Sequence, residues 1–428
     1  MFKYFVSLYY SSIGVTQVFH YLYLQFLDLI RVRGNSFVLS RFINQVGTLF
    51  PDSIAYPFST GRGATSAALK MAGIGKGDEV IISAFTCLAV PTAVLDSGAA
   101  PIYVDINPTT LNTDISSIIT AITPRTKAII LQHTFGNPAD IHTLIEQTSQ
   151  KKILIIEDCA LSLGSKIDGR YVGSFGDAAI FSMELSKTLS TGWGGLLLIN
   201  VAHKFQDHEI WYTKCYSKGI FQSTKDILQT FISSICHKSG LYAVGKYIIY
   251  FFFRIKLFRY SNSSDESSLA FQKGFVFRMS RAMNRLAFIQ WKRFKTVTER
   301  CLENYADIRK YAIVCGYTIP DAVSSKDKSV NIVSSRISFL VNNRNNFITY
   351  FIKRGYEVGL WFDGPLTPEP QNEKFVYDRV LFPNACYIAD HIVNLPCHSR
   401  MTESELQGLK NAISDFARLY PKEINVHE

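Results

Sequence analysis

KILIIEDCALSLGSKIDGRYVGSFGDAAIFSMELSKTLSTGWGGLLLIN, residues Lys152 to Asn200, decides how the rest of the chain is read. Its apolar run Ile153 to Ile156 ends in Glu157-Asp158, as a buried parallel strand does when it delivers a carboxylate to the carboxyl edge of a sheet. Asp158 is therefore expected to face a ligand. A second apolar run closes on Phe181-Ser182, Lys187 follows five residues after that serine, and the glycine cluster Gly192, Gly194 and Gly195 comes next.

An acid at one strand end and a lysine beyond the next suit pyridoxal phosphate. That cofactor asks the protein for an amine for its aldehyde, an acid for its ring nitrogen and a cradle for its phosphate. Lys187 is assigned the Schiff base, its amine made nucleophilic by desolvation and positive neighbours. Asp158 is assigned the ring nitrogen and Ser182 a hydroxyl hydrogen bond to phosphate. Taken singly, a strand-end aspartate or a lysine beside a glycine loop is most often a turn residue or a surface charge, so the weight lies on the ordered set.

Upstream, Ser59-Thr60-Gly61-Arg62-Gly63-Ala64 reads as a glycine turn opening a helix, a natural phosphate site because the first-turn amides lack helical partners. Gly61 and Gly63 permit close backbone approach, and Arg62 is placed to grip phosphate as a charged fork. Strands over Val80–Ile82, Pro101–Asp105 and Thr126–His133 alternate with helical stretches, which predicts an α/β fold with a parallel, doubly wound sheet. His133, at a strand end, is a candidate substrate contact, although such a histidine is more often structural.

These residues resemble the sugar aminotransferases of the DegT/DnrJ/EryC1/StrS group, which have the aspartate-aminotransferase fold. The resemblance rests on Glu157-Asp158-Cys159-Ala160, Val172-Gly173-Ser174-Phe175-Gly176-Asp177, Phe181-Ser182, Lys187 and Gly192-Trp193-Gly194-Gly195. Gly73–Ile82, Gly274–Ser280, and the closing Leu395-Pro396-Cys397-His398 with Thr402 to Glu405 extend it. It spans about Phe58 to Asn200 and Lys273 to Ala417. The resemblance implies a PLP-dependent transaminase acting on a nucleotide-linked sugar with an amino-acid donor, glutamate by analogy, in a homodimer, for polysaccharide or glycoconjugate biosynthesis. Sugar dehydration in the same group replaces the lysine by histidine, and Lys187 speaks against it.

Several positions depart from the group's pattern. Arg62 stands where threonine is usual, Cys87 where an aromatic residue covers the pyridine ring, with Phe85 as the nearby substitute cover. Leu161 replaces glutamine or histidine on the cofactor's hydroxyl side, Trp193 replaces glutamate and is a candidate substrate contact, and Val276 replaces an asparagine that reaches the neighbouring subunit's phosphate. These changes define the alternative: a catalytically altered member with a regulatory, scaffolding or membrane-associated role.

The 428 residues, 47 % apolar, are enough for a large cofactor domain and a smaller one. The divisions expected are an N-terminal helical segment at 1–50, a large PLP-binding domain at 51–270 interrupted by an apolar, basic insertion at about 215–266, and a long helix (Arg281 to Ile308) with a small C-terminal α+β domain at 271–428. Eight cysteines without C-x-x-C spacing suit reduced thiols in a cytoplasm, and nine histidines without an H-x-x-x-H pair predict no structural metal. The net charge of +10 accompanies no nucleic-acid module, which leaves a phosphorylated substrate or an anionic membrane surface as its partner. Met1 to Arg33 is expected to pack on the body or lie at a membrane interface. Gly240 to Phe253, with Arg254, Lys256 and Arg259, is too short to cross a bilayer and is expected to bury against the body or a dimer partner, or else to anchor peripherally through 240–259 at the inner face of a membrane. Ser261 to Ser268 reads as a polar loop.

Overall fold

A computed structural model describes residues 6–8, 12–14, 16–21, 23, 35–217, 220–238, 240–258, 276–320 and 329–424. The polar loop at Ser261 to Ser268, the start of the Gly274–Ser280 motif and much of Met1 to Arg33 lie outside the described residues.

The large core is built on a seven-stranded sheet: β1 (Ile54–Phe58), β2 (Glu79–Ser83), β3 (Ala100–Val104), β4 (Thr126–Gln132), β5 (Leu154–Asp158), β6 (Ala178–Ser182) and β7 (Gly195–Ile199). Across the sheet they run β1-β7-β6-β5-β4-β2-β3, and only β7 opposes its neighbours. Strands β2, β5, β6 and β7 are buried along their whole length, which is why they read as unbroken apolar runs rather than alternating ones. Their carboxyl ends bring Gln132, Asp158 and Ser182 to one edge, where a doubly wound sheet receives ligands.

Helix α1 (Asn35–Gly47) packs its Phe42 edge-on against Trp291 of α6 (Arg281–Trp291), with ring centroids 5.6 Å apart. The chain before α6 returns beside β1, where Ser59 N–H donates to Phe277 O and Met279 N–H to Pro57 O. The expected continuous helix from Arg281 to Ile308 is instead two, α6 and α7 (Phe294–Val314). Helical dihedrals lapse at Arg293 (φ −98°, ψ 4°), whose guanidinium is drawn to Ser12 O at 2.8 Å. Met283, Ala287, Trp291, Phe294 and Val297 join the large core, whereas Tyr305, Ile308 and Ala312 of the same α7 join a smaller one.

That smaller core surrounds β8 (Arg336–Leu340), paired antiparallel with β9 (Ile392–Pro396), and is closed by α8 (Arg344–Lys353) and α9 (Glu403–Leu419). Thr402 and Glu405 cap α9 reciprocally in a capping box. The described part of the N-terminal segment packs on the body. Val6 N–H donates to Gly355 O, Ser12 Oγ accepts from Ser190 N–H, and Ser7 O accepts from His398 Nε2 at 3.0 Å.

The insertion forms α4 (Ile220–Cys236) and α5 (Tyr242–Arg254). The apolar run is not buried against the body: along α5 only Tyr242 and Gly245 are buried, Gly245 against Cys236 of α4 and Tyr242 against His237, and the opposite face is outward. A Cβ on Gly245 would lie 2.3 Å from Cys236 O. No helix among the described residues is long and apolar enough to cross a membrane.

His398 is buried and donates through Nε2, and burial pushes its pKa down from 6.5 to about 4. Its folded pKa lies below its unfolded one, so stability is complete above pH 6.5 and is lost as pH falls from there to about 4, by roughly 3 kcal/mol. Urea denaturation across that window should show this slope, and His398→Asn should flatten it; equal slopes in the two proteins would contradict the assignment.

Candidate active site

Alternate residues of a strand face opposite ways, so at the end of β5 Glu157 and Asp158 serve different sides of the sheet. Glu157 Oε1 accepts the N–H groups of Phe175 and Gly176, each at 2.7 Å, and Oε2 accepts Gly173 N–H at 2.7 Å and His133 Nε2 at 3.0 Å. The Val172–Asp177 motif is thus a cradle for this buried carboxylate. Gly173 (φ +92°) cannot be replaced there, since a Cβ would lie 2.4 Å from Phe181. Burial alone would push the Glu157 carboxyl up, but His133 and the amides of Gly176 and Gly173 outweigh it and hold it below its ordinary value.

Ala139 N–H donates to His133 Nδ1 at 2.9 Å, so the proton on Nε2 is the one facing Glu157. Both ring nitrogens are spent inside the protein, so His133 props the wall of the cleft, which it also lines. The same bonds account for the buried grouping of His133, Glu157 and Cys159, whose donor atoms lie within 4.8 Å of one another.

Asp158 faces a cleft of about 870 Å³, its open mouth included, together with Gly61, Arg62, Ser182, Lys187, Cys87, Leu161 and Trp193. Most of the residues singled out from the sequence are therefore on one wall or another of a single cleft. Burial raises the Asp158 carboxyl pKa, against Ala160 N–H (3.0 Å), Lys187 and His133, which lower it. Burial lowers the Lys187 pKa; Arg336 adds to that, while Glu184, Cys87 and Asp158 oppose it. The two groups feel each other across the cavity.

Helix α2 (Gly61–Met71) opens at the same cavity. Thr60 is its N-cap, accepting Gly63 N–H at 3.1 Å, and a Cβ built on Gly61 would lie 3.4 Å from Ser182 Cβ. A helix start, an arginine and a serine hydroxyl thus meet at one point, the donor set a phosphate requires. Ser182 Oγ accepts only a long bond, 3.5 Å from Glu184 N–H, so its proton is available toward the cavity. Gly63 itself does not line the cleft, because its N–H is taken by the cap. Phe85 is also corrected: it is fully buried, edge-on to Phe362 at 5.1 Å, and leaves the cavity wall to Cys87.

Residues not assigned to the site from the sequence complete it. Trp361, whose backbone N–H donates to Asn394 Oδ1 on β9 and whose ring packs against the large core, lies with Lys187 Nζ 5.6 Å from its ring centroid and Arg336 Cζ 4.8 Å from it. Arg336 is buried and donates to Ser186 O at 2.9 Å, beside the lysine. Glu184, which receives Ser186 N–H and Oγ–H, lines the cavity as well. Thr86 and Gln132 bond each other at 2.6 Å on the wall near Cys87. Glu184, an acid in the turn three residues before the lysine, was a readable signal; Trp361 and Arg336 carry no local mark.

The fold is shared with proteins solved as sugar aminotransferases. A Streptococcus pneumoniae sugar-aminotransferase assignment, solved in a PLP form, superposes with TM-score 0.66 at 18 % identity, over 96 % of this chain and 97 % of that one. The sequence narrows the class: residues 39–215 match the model of the DegT/DnrJ/EryC1/StrS aminotransferase family. Over this region the chain is 37 % identical to a GDP-perosamine synthase of Escherichia coli, covering 41 % of this chain and 48 % of that protein. It is 38 % identical to a UDP-N-acetyl-3-dehydro-alpha-D-glucosamine 3-aminotransferase of Acidithiobacillus ferrooxidans, covering 41 % and 49 %. The chain thus spans about half the length of the curated relatives it matches.

Glu157→Gln converts one acceptor oxygen into a donor facing backbone N–H groups, so it is expected to destabilise the fold by about 3 kcal/mol. Denaturant unfolding measures this, and a loss below about 1 kcal/mol, the size of a single ordinary hydrogen bond, would contradict the pin described.

Proposed function

We propose that the protein is a PLP-dependent aminotransferase that moves an amino group from an amino acid, glutamate by likeness, to a keto group of a nucleotide-linked sugar. The observation that carries this is one cavity lined by Asp158, Lys187, Ser182 and the glycine start of α2. Its donor set fits the cofactor: Gly61, Arg62 and Ser182 for the phosphate, Asp158 for the ring nitrogen, Lys187 for the carbonyl carbon. Names of the matched relatives support nucleotide-linked sugars as the substrate class.

When bound, pyridoxal phosphate supplies an electron sink for the substrate's alpha carbon. Lys187 provides the amine that anchors it and, once displaced, moves the proton at that carbon. Burial and Arg336 favour its unprotonated, nucleophilic form. Asp158, as a carboxylate in the wall of the cleft, would hold a proton at the ring nitrogen through its negative charge. Trp193, Leu161, Cys87 and Trp361 line the cleft and exclude water around the reacting atoms. We further take the working unit to be a homodimer in the cytoplasm, with the product feeding a polysaccharide or glycoconjugate.

Purified protein loaded with pyridoxal phosphate should convert glutamate to 2-oxoglutarate and lose its visible absorption band. Borohydride reduction of the loaded protein before glutamate is added should leave the cofactor's mass on the peptide containing Lys187. Lys187→Ala is expected to lower turnover by about a thousandfold or more while still binding the cofactor. Retained cofactor with no 2-oxoglutarate from the wild-type protein would contradict this reading and leave the catalytically altered one.

A further inference from the structure

The α4–α5 hairpin is fixed at its base and bare on its outer face. At the base, α4 buries Asp226, Thr230 and Ser233, and Thr230 sits so close to Gly192 of the glycine loop that a Cβ there would lie 1.8 Å from Thr230 Oγ1. Helix α5 is tied on by Tyr242, which stacks on His237 with centroids 5.4 Å apart and donates from its hydroxyl to Glu357 Oε1 at 2.6 Å. Outward, Val244, Tyr247, Ile248, Phe251 and Ile255 recur at three- and four-residue spacing and are exposed by 47, 67, 42, 55 and 51 %. Tyr250 (64 %) widens that stripe, and on α4 Leu228 and Ile235, seven residues apart, are exposed too. Single exposed apolar residues need no explanation, but a helix whose aromatic face is contiguous and outward does.

The charge along this segment is one-signed, and the acid in contact with α5, Glu357, is taken up at its base by Tyr242. Between Asp226 and Asp265 the sequence holds no acidic residue, while Lys238, Lys246, Arg254, Lys256 and Arg259 fall within it. Lys238, Lys246, Arg254 and Lys256 are exposed. A second copy docking face to face would bring these cations together, which disfavours that occupant, whereas an anionic surface complements them. Exposed tyrosines beside a cation-flanked apolar stripe match the layered polarity of a lipid headgroup region.

We propose that the α4–α5 hairpin is a peripheral membrane-binding surface, with α5 lying in the plane of an anionic bilayer, its Val244–Ile255 stripe in the acyl boundary and its lysines and arginines at the headgroups. This goes beyond the aminotransferase reading and does not depend on it. The bare stripe supplies the apolar area that cations alone lack, and the cations the selectivity for anionic lipid; each is worth about fivefold in partitioning near such a surface. Through Thr230 and Gly192, the surface lies one packing contact from the glycine loop of the cleft.

Flotation of the full-length protein with vesicles tests this without any activity readout. The protein is expected to float with phosphatidylcholine vesicles containing phosphatidylglycerol, weakly with phosphatidylcholine alone, and to be released by salt. The double variant Ile248→Ser with Phe251→Ser should lose flotation while its circular dichroism is unchanged, and Lys246→Glu with Arg254→Glu should weaken it by about tenfold or more. Absence of flotation in the wild type, or equal flotation of the variants, overturns the proposal. So does a wild type that ignores vesicles but falls from dimer to monomer in the Ile248→Ser, Phe251→Ser protein, since the face would then be a subunit interface.

Discussion

The site depends on one buried carboxylate. Glu157 gathers three backbone amides and the His133 imidazole, and in doing so fixes the end of β5. Removing an ion from water in this way is costly unless every lone pair is met, and here both oxygens are doubly bonded. The consequence falls on the next residue: with Glu157 locked on one side, strand alternation leaves Asp158 only the cavity. The acid that holds the strand end thereby aims the acid that lines the cavity.

Around that fixed point the two cores divide the labour. The large one supplies Asp158, Ser182, Lys187 and the start of α2 from strand ends and the turns beside them, where backbone geometry is stiff. Arg336, at the start of β8 beside the smaller core, reaches the same place, and with burial this cation beside the lysine amine lowers its proton affinity. The Leu366–Thr367 segment seals the same region by pairing with Thr86–Cys87.

Much of the fold was legible because the strands are buried on both faces and so announce themselves as apolar runs ending in polar residues. Asp158, Ser182 and Lys187 were found for that reason: they sit where such runs stop. Gly63 and Phe85 misled because adjacency in sequence says little about direction; a cap took the amide of one, and the core took the ring of the other. His133 looked like a ligand contact because it ends a strand, yet its partner Glu157 lies on the next strand over, a fact only sheet order reveals. Trp361 and Arg336 could not be read at all, since their position beside Lys187 is created by the packing of one core on the other. The apolar run of α5 was legible as a helix but not as an exposed one, because hydrophobicity does not state what covers it.

The central claim is that Asp158 and Lys187 close on a single heteroaromatic ring from opposite ends. Its most direct measurement is the NMR shift of an isotope-labelled pyridine nitrogen in the loaded protein, beside an Asp158→Asn variant. The account predicts a protonated ring nitrogen in the wild type across neutral pH and a deprotonated one in the variant. The same shift in both proteins would place the carboxylate away from the ring and contradict it.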